Sequence, residues 1–178
     1  MSPLSLDSID RRILEVLQVD AAVSNQDLAA RVHTSTATCL RRVKRLVDAG
    51  VIERRIAILA PDRASGGLHV GITAVIEITL DRQGADLQAT FEAKAVDDKT
   101  VQQCYRVTPG PDFVLIAYVA DMDGYQALAQ RLFTSDANVR NVKTYFSTKR
   151  GKFEPSIPVR VEHPEEDEAP AVSALLKR

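Results

Sequence analysis

The sequence lacks tryptophan, has only 5% aromatic residues, and contains two cysteines and three histidines in 178 residues. Cys39 and Cys104 are far apart and form neither a metal-binding spacing nor a disulfide framework, so we expect two buried thiols. His33, His69 and His163 are scattered, and we expect neither a metal nor a cofactor. No Ser/His/Asp set and no glycine-rich phosphate loop is evident, which argues against an enzyme.

Long apolar runs are also missing. No stretch of about 18 apolar residues occurs, so we expect no membrane span. The N-terminus has no positive region followed by an apolar stretch, so we expect no secretory signal and a cytoplasmic protein. The apolar content of 45% argues against general disorder.

The net charge of −1 gives no general affinity for nucleic acid, but the charges are unevenly distributed. Residues 36–55 carry six basic and two acidic side chains, whereas the last eighteen residues carry two basic and five acidic ones. A nucleic-acid-binding surface is therefore expected near residues 36–55.

Residues 24–50 have the pattern of two short helices joined by a tight turn. Ser24 is a candidate cap for the first of them, and Gly50 is a natural stop for the second. On the second helix, Cys39, Leu40, Val43, Leu46 and Val47 are predicted to face a core, and Thr38, Arg41 and Arg45 the opposite side. Arg42 and Lys44 are predicted on the flanks. Four basic residues without an acidic one favour a helix-turn-helix DNA-binding element over a merely basic surface helix.

The flanking segments complete a small N-terminal domain, residues 1–60. Asp7 is predicted to cap a first helix that braces the two others. Val51–Leu59 is predicted to be a connecting strand because it is rich in β-branched residues. Arg54 and Arg55 on it are either DNA-backbone contacts in a wing or solvated linker charges. Residues 61–67 are turn-rich and predict a linker.

Residues 68–153 predict a second domain with the order strand, helix, strand, strand, helix, strand. Alternating apolar residues from Ile72 to Leu80 give the first strand one apolar face. The fold class is therefore α+β, with a four-stranded antiparallel ferredoxin-like sheet covered by two helices on one side. Val75, Val114 and Ile116 would leave the other face apolar, so we expect a dimer. Residues 154–178, with the acidic run 165–168, predict a mobile tail.

This combination resembles the Lrp/AsnC, or feast/famine, transcription regulators. The resemblance is carried by LDSIDRRIL, SNQDLAARV, CLRRVKRL and AGVIERRIAIL in the first domain and by FEAKAV and VQQCYRVTPGPDF in the second, and covers about residues 4–153. It implies a winged helix-turn-helix domain and an effector-binding domain of the RAM type. It also implies binding to double-stranded DNA, a homodimer that assembles further, possibly to an octamer, and an amino acid or related metabolite as effector.

Site residues follow from the pattern and the resemblance together. The predicted DNA-binding residues are Ser35, Thr36, Thr38, Arg41, Arg42, Lys44, Arg45, Arg54 and Arg55. The predicted effector-binding residues are Thr108, Gly110 and Asp112 in a stiff turn, with Thr144 contributed by a neighbouring chain. Asp112 accepts a ligand ammonium or, alternatively, caps its own backbone.

The sequence departs from the family pattern at both sites. His33 and Thr34 stand where the family has a glycine and a hydrophobic residue, and Thr36 and Thr38 replace helix-start prolines. Pro109 replaces the family's glycine after threonine, which removes a backbone donor. Two alternative functions have the same fold: an effector-independent DNA-organising protein and a siroheme-decarboxylase-like enzyme.

Overall fold

The computed structural model describes residues 4–60 and 71–159. The chain divides into two compact units, one formed by the residues up to Ile58 together with the segment from Glu154, the other by Leu59–Phe153. The predicted linker 61–67 and the acidic run of the tail lie outside the described residues. No helix among the described residues is both long enough and apolar enough to cross a membrane.

The N-terminal unit contains three helices, which confirms the predicted order: α1 (Ser8–Val19), α2 (Asn25–Arg31) and α3 (Thr36–Asp48). The caps are those expected from the sequence. The Asp7 carboxylate accepts the amide hydrogens of Ile9 and Asp10, and Ser24 Oγ accepts that of Asp27. Such side-chain acceptors satisfy amides that have no partner inside the helix.

The core of this unit is small and lies where the three helices meet. Its buried side chains are Ile13, Leu28, Ala29, Val32, Cys39, Val43 and Leu46. Cys39 is a free thiol, as expected, and burial raises its pKa. A core of this size leaves little reserve of stability.

The predicted strand Val51–Leu59 is wrong. Residues 53–60 have no regular secondary structure, and the apolar side chains of Ile56, Ile58 and Leu59 are more than half exposed. A strand needs a neighbouring strand to accept and donate its hydrogen bonds. No described strand pairs with this segment, so the β-branched residues alone do not make it a strand.

The C-terminal unit has the predicted βαββαβ order and antiparallel sheet. Its elements are β1 (Ile72–Leu80), α4 (Ala85–Asp97), β2 (Val101–Arg106), β3 (Phe113–Val119), α5 (Met122–Ala129) and β4 (Val139–Phe146), and a π-helical turn, Gln130–Thr134, extends α5. The strand order is β2-β3-β1-β4. The strands β1 and β3 therefore lie side by side in the centre of the sheet, and β2 and β4 form its edges.

One face of the sheet is a closed core and the other is open. Ala74, Ile76, Ile78 and Leu80 on β1 are buried against Phe91 and other helix residues. On the opposite face Val75 lies between Ile116 and Tyr145 of the neighbouring strands, and all three side chains are partly or largely exposed. The open face therefore carries the apolar surface that the sequence predicts.

The described part of the predicted tail contacts the first helix. The Gln18 side-chain amide donates to the carbonyl oxygen of Ile157 at 3.0 Å and accepts the Ile157 amide hydrogen at 2.7 Å. Ile157 is therefore bonded to the N-terminal unit, and the predicted mobile tail over 154–178 stays a prediction.

Candidate functional sites

The turn between α2 and α3 keeps a tight shape without the family's glycine. His33 has φ of 55°, a left-handed conformation that usually favours glycine. The Asn25 side chain donates to the carbonyl oxygen of Thr36 at 3.0 Å, and the amide of Thr34 donates to the carbonyl oxygen of Ala29. These bonds fix the start of α3 relative to α2.

Ser35 and Thr38 both belong to the cap of α3. Ser35 Oγ accepts the amide hydrogen of Thr38 at 3.3 Å and bonds with Thr38 Oγ1 at 2.9 Å. Ser35 is exposed and Thr38 is half-buried. Their hydroxyls therefore position the N-terminal turn of α3, and their predicted contact with DNA stays a prediction.

The buried side of α3 is narrower than predicted. Cys39, Val43 and Leu46 are buried, but Leu40 is 59% exposed and Val47 is 45% exposed. The prediction that Leu40 and Val47 face the core is therefore wrong. Among the described residues of this unit, the helices that cover α3 are α1 and α2, and these reach one side of it.

Two of the predicted DNA-binding arginines contact α1. One Nη of Arg42 donates to Asp7 at 2.7 Å and to Asp10 at 2.8 Å, and Arg45 also bonds to Asp10. Asp10 is 1% exposed, so a buried carboxylate links both arginines to the first helix. The amide hydrogen of Asp10 and the Arg42 guanidinium lower the pKa of the Asp7 carboxyl, and the two aspartates raise the pKa of Arg42.

The sequence predicts Arg42 on the flank of α3 as a DNA contact, whereas in the structure its guanidinium forms ion pairs with Asp7 and Asp10 of the same domain. Arg45 is predicted on the outward face and is largely exposed, yet its guanidinium contacts the buried Asp10. The spacing of charged residues along α3 contains no signal for this, because Asp7 and Asp10 are more than thirty residues away.

The remaining cations of α3 are exposed. Arg41 makes no hydrogen bond or ion pair with the described residues, and Lys44 bonds to Asp48 at 3.0 Å. Thr36 is exposed beside them, as are Arg54 and Arg55 after the helix. Arg41 is thus the one basic residue of α3 that the described part of the chain leaves without a partner.

The turn between β2 and β3 borders a surface cavity of about 480 Å³ in the C-terminal unit. The cavity is lined by Gln83, Gln88, Arg106, Val107, Thr108, Gly110, Pro111 and Asp112. Three of the four predicted effector residues are therefore brought together. The turn contains a cis Thr108–Pro109 peptide bond and Gly110 at φ of 120°, a conformation that requires glycine.

Asp112 is held tightly in this turn. It is 6% exposed, and its carboxylate accepts the amide hydrogen of Leu80 at 2.7 Å. Its own amide donates to the carbonyl oxygen of Ile78. The carboxylate therefore caps the end of the central strand β1 and not the backbone of its own turn, which is where the sequence alternative has it.

Arg106, which the sequence did not single out, also lines the cavity. Its guanidinium lies 2.5 Å from the Glu92 carboxylate and 5.7 Å from the centre of the Phe113 ring. The cavity thus has a cation and a carboxylate in its lining. The sequence signal was available, since Arg106 lies two residues before the predicted turn.

Thr144 does not line this cavity. It lies on β4 opposite Ile76, and its hydroxyl is 2.6 Å from the hydroxyl of Tyr125. Within one chain it supports the packing of α5 on the sheet, and its predicted contribution from a neighbouring chain stays a prediction.

Comparison with known proteins gives both units a match. Residues 6–53 match the winged helix-turn-helix DNA-binding model, and residues 73–157 match the Lrp/AsnC ligand-binding domain model. An HTH-type transcriptional regulator of Haemophilus influenzae, itself uncharacterized, is 37% identical over 80% of this chain and 82% of its own. The chain belongs to the Lrp/AsnC family of transcriptional regulators.

Two further relatives have named functions. The Bkd operon transcriptional regulator of Pseudomonas aeruginosa is 35% identical over 81% of this chain and 92% of its own. The leucine-responsive regulatory protein of Escherichia coli is 35% identical over 79% of this chain and 83% of its own. This member of the family is therefore a DNA-binding transcriptional regulator with a domain for a small-molecule effector, as the sequence predicts.

Solved structures agree with the fold. A transcriptional regulator from Neisseria meningitidis in complex with L-Met has a TM-score of 0.73 and 30% identity, and the match covers 86% of this chain and 97% of that one. An AsnC family regulator from Agrobacterium tumefaciens has a TM-score of 0.73 at 28% identity. The α+β fold class, with a winged helix-turn-helix and an antiparallel sheet domain, is confirmed.

Proposed function

We propose that this regulator recognises a specific operator through the exposed side of α3, with Arg41 as the principal base-reading residue. The observation that supports this is the difference between the basic residues of α3 that have an acidic partner and the one that has none. Arg42 and Arg45 bond to Asp10, and Lys44 bonds to Asp48, whereas Arg41 is exposed and without a partner among the described residues. A free guanidinium in the major groove can bond to both acceptors of a guanine edge.

The test compares Arg41→Ala with Lys44→Ala on specific and random duplexes. Arg41→Ala is expected to cost about 1–3 kcal/mol on the specific site and less on random DNA. Lys44→Ala, on the same exposed side, should weaken both alike and reduce the salt dependence. Equal losses on both duplexes for Arg41→Ala would show that it does not read bases.

The proposed effector is an amino acid or a related zwitterionic metabolite. A cavity of about 480 Å³ has the size of a small-molecule site, and its lining contains both Arg106 and Asp112. These opposite charges suit a ligand that has an ammonium and a carboxylate. The L-Met complex of the Neisseria relative supports the same ligand class.

The substitution Asp112→Asn tests whether the charge of Asp112 is needed to bind the effector. The asparagine oxygen still accepts the Leu80 amide hydrogen, whereas alanine would leave that buried donor unpaired at a cost of about 1–3 kcal/mol. Calorimetry with a panel of amino acids should give binding to the unmodified chain and none to Asp112→Asn, with DNA affinity unchanged. Asp123→Asn, an exposed carboxylate of α5 outside the cavity lining, is the matched control. Undiminished binding to Asp112→Asn would move the site elsewhere.

The same titration separates the alternatives. An effector-independent DNA-organising protein would give no heat with any amino acid. We propose no catalytic activity, and a siroheme-type ligand would give a strong visible absorption band in the purified protein. We further propose that the chain acts in the cytoplasm as a homodimer that assembles to a larger even-numbered oligomer, possibly an octamer. The exposed side chains on the open face of the sheet support this assembly.

A further inference from the structure

Leu40 is an apolar side chain on the exposed side of α3. It is 59% exposed, although the pattern of the helix predicts it in the core. Arg41 beside it, and Thr36 and Lys44 four residues away on either side, are exposed as well, whereas Cys39 and Val43 face the core. A leucine in this position loses contact with water only if something outside the described domain covers it.

The place of Leu40 in the helix indicates what covers it. It is the fifth residue of α3, and the N-terminal residues of a recognition helix are those that approach base edges. The major groove offers one prominent apolar group, the C5-methyl of thymine, and apolar side chains contact it directly. A leucine beside Arg41 is therefore suited to a thymine adjacent to the base that the arginine reads.

We propose that Leu40 is a specificity-determining residue that recognises a thymine methyl group in the operator. This inference rests on the proposed operator recognition by α3. Arg41 supplies hydrogen bonds to an acceptor edge, and Leu40 supplies the apolar contact at the neighbouring position. The two residues together select a dinucleotide step rather than a single base.

The experiment removes the two partners of this contact separately and together. The full-length chain first selects its preferred duplex from a random-sequence library. Each thymine of that duplex is then replaced by deoxyuridine, which lacks only the methyl group. Binding of the unmodified chain should weaken about fourfold at one thymine per half-site, the effect of losing one buried methyl group. Leu40→Ala should bind the thymine and uracil duplexes equally well.

Val47→Ala is the matched control, because Val47 is also exposed but lies in the last turn of α3. That variant should keep the thymine-to-uracil penalty. Leu40→Ala should melt like the unmodified chain, since its side chain is mostly in solvent.

The outcomes separate this inference from the function on which it rests. A chain that enriches no sequence contradicts both. A chain that enriches a site but shows no penalty for any uracil contradicts only the role of Leu40. A penalty that survives in Leu40→Ala assigns the methyl contact to another residue and equally overturns the inference.

Discussion

Asp10→Asn is expected to destabilise the DNA-binding domain selectively. Asp10 is 1% exposed and accepts hydrogen bonds from Arg42 at 2.8 Å, from Arg45, and from the Asp7 amide at 3.2 Å. Asparagine has the same shape but one oxygen and no charge. One of the two guanidinium groups therefore loses its bond to residue 10, and the bond that remains has a neutral acceptor.

The magnitude follows from the hydrogen bonds that are lost. Losing one hydrogen bond to a charged group and weakening a second costs about 3 kcal/mol, while Arg42 keeps its bond to Asp7 and Arg45 is partly in solvent. At about 0.1 kcal/mol per residue, a unit of this size has on the order of 6 kcal/mol of stability in total. The substitution should therefore remove about half of the free energy of unfolding of this unit.

Amide hydrogen exchange followed peptide by peptide is the appropriate assay, since it reports each unit separately. Peptides from α1 and α3 should exchange about a hundredfold faster in Asp10→Asn, whereas peptides from β1 and β3 should be unchanged. Glu15→Gln, an exposed carboxylate on the same helix, is the control and should behave like the unmodified chain. An acceleration below about tenfold would refute the view that Asp10 holds the domain together.

Two further predictions concern acid stability and assembly. The pKa of the Asp7, Asp98 and Asp136 carboxyls lies below the ordinary 3.8. Bonds from the Asp10 amide and from Arg42 lower it at Asp7. At the other two, burial raises the pKa, but this is outweighed by hydrogen bonds from Arg131 and Thr100 to Asp98 and from Lys94 and Asn138 to Asp136. These carboxylates stabilise the fold at a pH above their pKa in the unfolded chain, and that contribution is lost as the pH falls below about 4. The midpoint of urea unfolding should therefore be the same from about pH 7 to 5 and lower at about pH 3.5. An unchanged midpoint at the lowest pH would contradict this. Light scattering at micromolar concentration should give at least twice the chain mass of 19.5 kDa, and a single-chain mass would count against assembly.

The elements that could be predicted from the sequence are those with local causes. Asp7 and Ser24 bond to amides two or three residues away, so their position in the sequence alone identifies the helix starts. The alternation from Ile72 to Leu80 follows from strand geometry and places every second side chain in the core. Such features can be predicted because the residues that interact are close together in the sequence.

The features that could not be predicted depend on distant partners. Arg42 has the same side chain whether it contacts a phosphate or Asp10, and only the packing of α1 against α3 decides between them. The segment 51–59 has the composition of a strand, but a strand forms only beside another one. Leu40 lies at the margin of the apolar stripe, and the small number of covering helices leaves it exposed.

Asp112 shows that two interpretations of one residue need not exclude each other. A carboxylate has two oxygens and about four lone-pair sites, and the Leu80 amide occupies one of them. The same residue lines the cavity, so under the proposed function its remaining lone pairs would accept a ligand ammonium while it caps the end of β1. A ligand bound there would share its acceptor with the central strand, which would link the effector directly to the sheet. Asp112→Asn preserves the cap and removes the charge, and for that reason it separates the two roles where alanine would abolish both.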